Sequence, residues 1–479
     1  MAIDSPAVPD TGPAPAPSPS DSPAPVRMSA RAKLILMVLC AAQFIVALDF
    51  SILNVALPAL GADLGMGQTD LQWAVTAFAL PSGGFLLLFG RIGDLYGRRK
   101  LFLAGLALFA LSSVLATFAW NPAAFLAGRA LQGLGAAVIV PTGMSLLTTT
   151  FAEGPERERA LGISGTLMSL GFTVGMVLGG GMTDTLGWRS TMGLLAVAAV
   201  LILALAPGLL PESRTPDRPR LDLPGAVTVT GGLLALIYAL STAGERGFGD
   251  ADVLVTLVLG IALLVAFVIV ESRTEQPLVS LPMLRRRTVA WGNVGGLVTI
   301  SMMTTVVFVL TLYLQEVLEL SSFETGLVFG VQGVASAVAG SYAPKVIGRF
   351  GAHRTLVGGL LGQGLFGAAL LGAGSASWSV WPATAALSLA SMFHLCAIVA
   401  YGVTVTSGVR NEEQGLATGL VTSTQQVGIT IGIPLLGVLA TTGDSLLSGV
   451  RLVLGVDAAI VVVAALLIGA GLRRRSDSA

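Results

Sequence analysis

Apolar stretches close to twenty residues long recur from Leu34 to Leu472, and nothing else in the chain narrows its fold as far. A bilayer's hydrocarbon core is about 30 Å thick and takes roughly 20 such residues per helix. Backbone polar groups crossing it must be satisfied within the segment, and for runs of this kind the helix does so. Hydrophobic residues make up 54% of the 479-residue chain and mean hydropathy is +0.82, so the expected class is an all-α membrane protein.

The remaining composition excludes more than it assigns. Twenty-seven basic and 27 acidic residues balance to zero, which leaves no electrostatic footprint for nucleic acid. Cys40 and Cys396 both lie inside apolar runs, so neither a disulfide framework nor a metal-ligand spacing is offered, and no cofactor is expected. No GxxxxGK[ST] phosphate loop occurs, so ATP is not the expected direct energy source. No hydrolytic constellation is present either, and an enzyme is not expected. Lysine is confined to Lys33, Lys100 and Lys345 while arginine and alanine abound, which points to a GC-rich bacterial genome. Residues 1–30 begin Pro/Ala/Ser-rich (PAPAPSPSDSPAP, Pro13–Pro25) and read as a disordered tail. That tail lacks the apolar stretch of a cleavable signal, so the first apolar run is expected to be retained.

Divided at charged or Gly/Pro-rich breaks, the apolar runs give fourteen spans. They lie near 34–59, 71–90, 101–119, 122–149, 160–181 and 190–210, then 222–243 and 252–271. The last six lie near 289–315, 325–344, 355–374, 379–404, 415–440 and 452–472. With the N-terminus inside, nearly all cations fall in inner segments, and the outer loops keep only Arg189, Arg246 and Arg451. That is the bias of the positive-inside rule, and it places both termini in the cytoplasm.

The densest charge cluster is GRIGDLYGRRK (Gly90–Lys100), expected as an inner loop between spans 2 and 3. PKVIGRFGAHR (Pro344–Arg354) follows the second span of the last six and aligns with it, Gly97 on Gly351 and Lys100 on Arg354. Two six-helix bundles are therefore expected at 31–211 and 285–473. A helix pair with its inner linkers, 212–284, is inserted between them, and 474–479 form a second cytoplasmic tail. Two such halves rocking about a midplane site is a common transporter plan.

Five stretches resemble the major facilitator superfamily, specifically its fourteen-helix drug:proton antiporter branch. ALDFSILNVALP (Ala47–Pro58) is similar to the branch's first-helix signature. GRIGDLYGRRK matches the inner-loop motif through Gly90, Asp94, Gly97, Arg98 and Arg99. GRALQGLGAA (Gly128–Ala137) matches the fourth-helix motif built on Arg129, Gln132 and Gly133. GFTVGMVLGG (Gly171–Gly180) resembles the fifth-helix antiporter motif, with Met176 where that motif carries proline. GLATGLVTSTQQVGITIG (Gly415–Gly432) resembles the thirteenth-helix segment. The resemblance implies the major facilitator fold and alternating access, with an inner latch formed by the Gly90–Arg99 motif.

Asp49 stands about 22 Å from the inner surface at 1.5 Å per residue, and Arg129 about 10 Å below the outer one. In a core of about 30 Å those depths nearly coincide. An isolated charge there costs on the order of 3 kcal/mol, so the two are expected to pair or to face a wet cavity. Burial favours the neutral carboxyl and a neighbouring guanidinium favours the ionised one, so an Asp49 whose partner moves can load and release a proton. A static bridge between helices 1 and 4 is the alternative. Asp94 is expected to accept hydrogen bonds at the N-terminus of a facing helix, where the dipole favours an anion. Topology alone would leave it without a role. Gly171, Gly175 and Gly179, with Gly180 beside them, form a small-residue stripe suited to close helix packing. His394, near mid-depth, is open to three roles: a substrate contact, a second titrating group, or packing. Thr422, Gln425 and Gln426 sit in a polar patch that faces protein or water. With Asn54, Gln132 and His394 they are expected to line the substrate cavity.

The expected function is proton-coupled efflux of amphipathic small molecules from a bacterial cell membrane. Asp49 and Arg129 form the coupling site. The partners are protons, the substrate and the lipid bilayer, and the chain acts as a monomer. The alternative is a major facilitator exporter of one metabolite with different or no proton coupling.

Overall fold

In the computed structural model the described residues are 28–151, 155–212, 222–247, 249–274, 281–409, 414–436, 439–440 and 445–473. Most of the expected N-terminal tail (1–27), the C-terminal tail (474–479) and much of the linkers around the inserted pair lie outside them.

Among the described residues the regular structure is helical throughout. The first group comprises α1 (Ala30–Leu64), α2 (Gln68–Gly84), α3 (Leu86–Tyr96), α4 (Arg98–Thr117), α5 (Pro122–Thr150), α6 (Pro155–Leu186) and α7 (Trp188–Leu209). Next come α8 (Leu223–Arg246), α9 (Ala251–Arg273) and the short α10 (Leu281–Leu284). The second group is α11 (Arg287–Leu312), α12 (Ser322–Phe350), α13 (Ala352–Ala369), α14 (Val380–Thr406), α15 (Gln414–Leu436) and α16 (Leu446–Arg473). Helix starts carry the residues capping requires. Ser29 accepts from Ala32 N–H at 3.1 Å, and Asn121 from Ala124 N–H at 2.8 Å with Pro122 behind it. Ser321 and Glu324 form a reciprocal capping box.

Twelve of these helices are long and apolar enough to cross a membrane. The two expected spans outside that count are the α2–α3 stretch, divided at Phe85 after Pro81 and Gly83–Gly84, and α15, which carries the Thr422–Gln426 patch. The expected inner loop is corrected too. Gly90–Tyr96 and Arg98–Lys100 are helical, and only Gly97 leaves the helix, at φ 111°. L-residues avoid that region, so glycine lets one helix turn directly into the next. Gly351, its partner in the repeat, makes the same kind of joint between α12 and α13 at φ 83°.

Helices α1 and α11 are the most deeply buried of the spans. Around α1 pack α5, α6 and α7; around α11 pack α14, α15 and α16. The inserted α8 touches both groups. Leu234 lies against Gly84 of α2, Tyr238 lies 5.9 Å from the Trp73 ring, and the Val229–Phe267 cluster takes in Leu420 of α15. Helix α9 is the outermost of the spans, with Val255, Val258, Ile261 and Val265 exposed.

The start of α1 (Ala30) and the end of α16 (Arg473) lie on one face, and Leu186 and Ser322 lie on the other. At the Leu186 face the groups close on each other. Asp184 of α6 accepts from the N–H groups of Ser322 (3.2 Å) and Phe323 (2.9 Å) at the start of α12. Gln315, in the π-helical turn ending α11, donates to Val55 O of α1 at 2.8 Å. Thr430 of α15 donates to Ala79 O of α2 at 3.2 Å. Gly180, Gly326 and Gly333 bring α6 and α12 so close that a Cβ on any of them would collide with the other helix. Toward the terminal face this contact stops, and Gly162, Gly165 and Gly348 have open space beside them.

Candidate functional site

A fully buried polar cluster joins α1, α2, α4 and α5. Asp49 and Arg129 are both fully buried, and Arg129 Nη1 donates to Asp49 Oδ1 at 2.6 Å. The same nitrogen donates to Gln132 Oε1 at 2.9 Å, and Nε donates to Ala74 O at 3.2 Å. The guanidinium lies 4.5 Å over the Phe78 ring. Gln132 Nε2 in turn donates to Ser113 Oγ at 2.8 Å, and Ser113 donates to Phe109 O at 2.6 Å. Arg129 thus keeps two neutral acceptors and an aromatic face besides Asp49, whereas Asp49 Oδ2 has no partner.

That asymmetry sets the chemistry. A guanidinium does not deprotonate at accessible pH, so any proton exchanged here goes to the carboxylate. The bare Oδ2 is where it would land. Removing one member of a buried pair costs about 3–5 kcal/mol because the other charge is stranded. Protonation of Asp49 instead leaves Arg129 with Gln132, Ala74 and Phe78 still in place.

The glycine stripe supports this segment from behind. Leu48 O lies 3.0 Å, and Ile52 O 2.8 Å, from where a Cβ on Gly175 and on Gly179 would sit; Gly171 meets Phe44 O in the same way. Helix α6 therefore rests on the α1 backbone on both sides of Asp49, while Gly180 on its other side meets α12. Met176, in place of the motif's proline, is buried within an unbroken helix.

Gln132 and Asn54 do not line open space in this conformation. They are 0% and 1% exposed, Gln132 serving Arg129 and Asn54 donating to Phe50 O at 2.6 Å. Nor does the structure bring His394, Thr422 and Gln425 to the Asp49 cluster; they stand in the second group. Thr422 and Gln425 are half-buried on α15, beside Thr424, which donates to Asn293 Oδ1 at 2.7 Å. The Tyr401 hydroxyl also reaches Asn293 Oδ1, at 3.2 Å, and donates to Val421 O at 2.9 Å. The Gln426 side chain lies outside the described residues.

In the Gly90–Lys100 motif, Gly90 and Gly93 face Pro141 and Thr142 of α5, and Arg99 donates to Pro207 O at the end of α7. Arg98 is half-buried, and the Asp94 side chain lies outside the described residues. Three cations open α4, against the helix dipole. Helix stability does not explain them.

Sequence reasoning missed two carboxylates. Asp184 bridges the groups as described, and Asp457 in the middle of α16 is 2% exposed with Oδ1 unpartnered. The signal that singled out Asp49, an acid inside an apolar run, was available for Asp457. Among the described residues no group of three or more His, Cys, Asp or Glu could hold a metal ion.

Known proteins resemble the chain along most of its length. The cephamycin export protein CmcT of Amycolatopsis lactamdurans is 37% identical over 422 residues, which is 86% of this chain and 85% of the relative. The puromycin resistance protein pur8 of Streptomyces alboniger is 38% identical over 419 residues, covering 85% and 81%. In fold, the chain is similar to the crystal structure of a peptide transporter POT in complex with sulfate. The TM-score is 0.70 at 14% identity, over 92% of this chain and 94% of that one. Residues 39–433 match the Major Facilitator Superfamily, and the chain belongs to it.

Proposed function

We propose that this multi-pass membrane protein exports amphipathic small molecules in exchange for protons by alternating access, in a bacterial cell membrane. The reading takes fourteen spans, counting the broken α2–α3 stretch and α15, and two bundles at 31–211 and 285–473 with the 212–284 pair inserted. Both termini are cytoplasmic on this reading, so the open terminal face is the cytoplasmic one and the closed Leu186 face is external. The likeness to exporters of cephamycin and to a puromycin resistance protein supports small antibiotics as cargo.

One observation carries the coupling: a fully buried Asp49–Arg129 pair whose carboxylate keeps an unpartnered oxygen. In the inward-open state drawn here Asp49 is ionised and paired. Once the bundles have rocked to the outward-open state, a proton arriving from outside neutralises it, loosens its hold on Arg129 and so biases α1 against α5. Gln132 and Ser113 hold Arg129 in place. The Gly90–Arg99 motif latches the cytoplasmic face when it closes, and His394, Thr422, Gln425, Gln426 and Asn54 meet the substrate along the way.

The test is ethidium efflux from preloaded cells under an imposed pH gradient. Wild type is expected to speed up with the gradient, and Asp49→Asn is expected to lose that response. Gradient-driven efflux retained in Asp49→Asn removes the residue from coupling. Efflux of neither ethidium nor puromycin by the wild type favours a narrow metabolite exporter.

A further inference from the structure

Each group of helices carries one buried polar cluster where its first, third and fourth spans meet. In the first group these are α1, α4 and α5, with Asp49, Ser113 and Arg129. In the second they are α11, α13 and α14, with Thr299, Gln363 and His394. The first cluster is charged, and its free atom is Asp49 Oδ2. The second carries no ion pair, and one of its atoms is uncommitted.

Hydrogen-bond direction identifies that atom. Gln363 Nε2 donates to Thr299 O at 3.1 Å, which turns Gln363 Oε1 toward the Thr299 hydroxyl. The hydroxyl has a single proton and gives it to Oε1. Its oxygen, 3.0 Å from His394 Nδ1, is then an acceptor, so Nδ1 carries the imidazole proton. In the neutral ring Nε2 is left with a lone pair and no N–H. The hydrogen bond to the Thr299 hydroxyl is made at Nδ1 and leaves the opposite edge of the ring to Nε2.

Helix α14 shows Leu389 and Phe393 to its exposed side, and His394 is turned about 100° from Phe393 toward α11. Thr299 is fully buried and Gln363 3% exposed, yet His394 is only half-buried. Its Nδ1 edge is held against Thr299, so the part of the ring left accessible is the edge that carries Nε2.

We infer that His394 is a specificity-determining acceptor, presenting Nε2 to a hydrogen-bond donor on the transported molecule: an amine, amide or hydroxyl. This rests on the exporter reading above. The first bundle then carries charge exchange, and the second recognises cargo through a neutral lone pair. Thr299 and Gln363 are positioning residues that fix the tautomer.

Two cations of equal charge separate the possibilities by direct binding to the purified protein in detergent. Ethidium carries two aromatic amino groups, and tetraphenylphosphonium has no donor. His394→Asn keeps an amide near the Nδ1 position for Thr299 but has nothing at the ε position. His394→Gln returns an acceptor oxygen there. The expected result is that His394→Asn weakens ethidium binding about 5- to 10-fold, the loss of one hydrogen bond. His394→Gln restores it to within about threefold, and tetraphenylphosphonium binds all three proteins alike. Equal losses for both cations, no loss for either, or a larger loss in His394→Gln than in His394→Asn overturns the inference. Wild type failing to bind ethidium overturns it as well, while puromycin efflux would leave the exporter reading standing.

Discussion

Replacing Gly133 by alanine puts a number on how tightly α5 holds α2 beside the buried pair. A Cβ there overlaps the Phe78 carbonyl oxygen and stands 2.8 Å from both the Phe78 carbonyl carbon and Pro81 Cγ. Carbon pairs rest at about 3.5–4.0 Å, so α2 must retreat by about 1 Å. The obstacle is backbone and a proline ring, neither of which can rotate away. Overpacking of this size costs about 1–3 kcal/mol. The retreat also takes the Ala74 carbonyl, now 3.2 Å from Arg129 Nε, out of hydrogen-bonding reach. That removes about 0.5–1.5 kcal/mol more. Alanine brings about 1 kcal/mol of helix propensity at any such helical site, so against a matched Gly→Ala control the loss is about 3 kcal/mol. Gly162→Ala is the matched control, since nothing lies within 4 Å of its new methyl group. Thermal unfolding of purified protein in micelles, followed by tryptophan fluorescence, reads the difference. Gly133→Ala should melt roughly 2–6 °C below Gly162→Ala. A Gly133→Ala protein that melts at or above the control refutes the close backbone contact.

Gly97→Ala forces an L-residue into φ 111°, at a cost of about 1–3 kcal/mol. It should melt several degrees below Gly348→Ala, whose site is open and whose φ is ordinary; equal melting would mean the α3–α4 joint relaxes freely. Asp184→Ala strips the acceptor from two N–H groups of α12, worth about 0.5–2 kcal/mol to the closed Leu186 face. A cysteine at the buried Thr325, in a background without Cys40 and Cys396, should then react with maleimide about 2- to 30-fold faster. Unchanged labelling would mean the cap does not hold that face shut.

What could be read ahead followed the size of the energetic penalty. Asp49 and Arg129 were legible as neighbours because an unpaired charge in lipid is expensive and simple depth arithmetic put them level. The same penalty marks Asp457, an acid inside an apolar run, but it says nothing about Thr299 and Gln363. Threonine and glutamine carry small insertion penalties, and the chain has many such residues to choose from. Gln132 was placed on the cavity wall because it is polar and beside Arg129, yet it is fully buried because Arg129 and Ser113 both need it. Gly90–Lys100 looked like a loop from its charge density, but its helices continue up to a single glycine. The position of α8 was out of reach altogether. Lipid and helix interior are both apolar, so no periodic pattern distinguishes the face that meets α2 and α15 from the face that meets acyl chains.

The contact between α6 and α12 has a mechanical consequence. Glycines set against backbone carbonyls and short side chains have few rotamers to rearrange, so the two helices can turn on each other with little repacking. Helix α12 continues from Gly333 to Phe350, an arm of about 25 Å at 1.5 Å per residue. A turn of about 10° at such a fulcrum sweeps the free end through about 4 Å, more than the width of a water molecule. On the proposed alternating-access cycle, small angles at the glycines would become an entrance at the other face, and the lever's length, more than the size of its pivot, would set how large a molecule can pass.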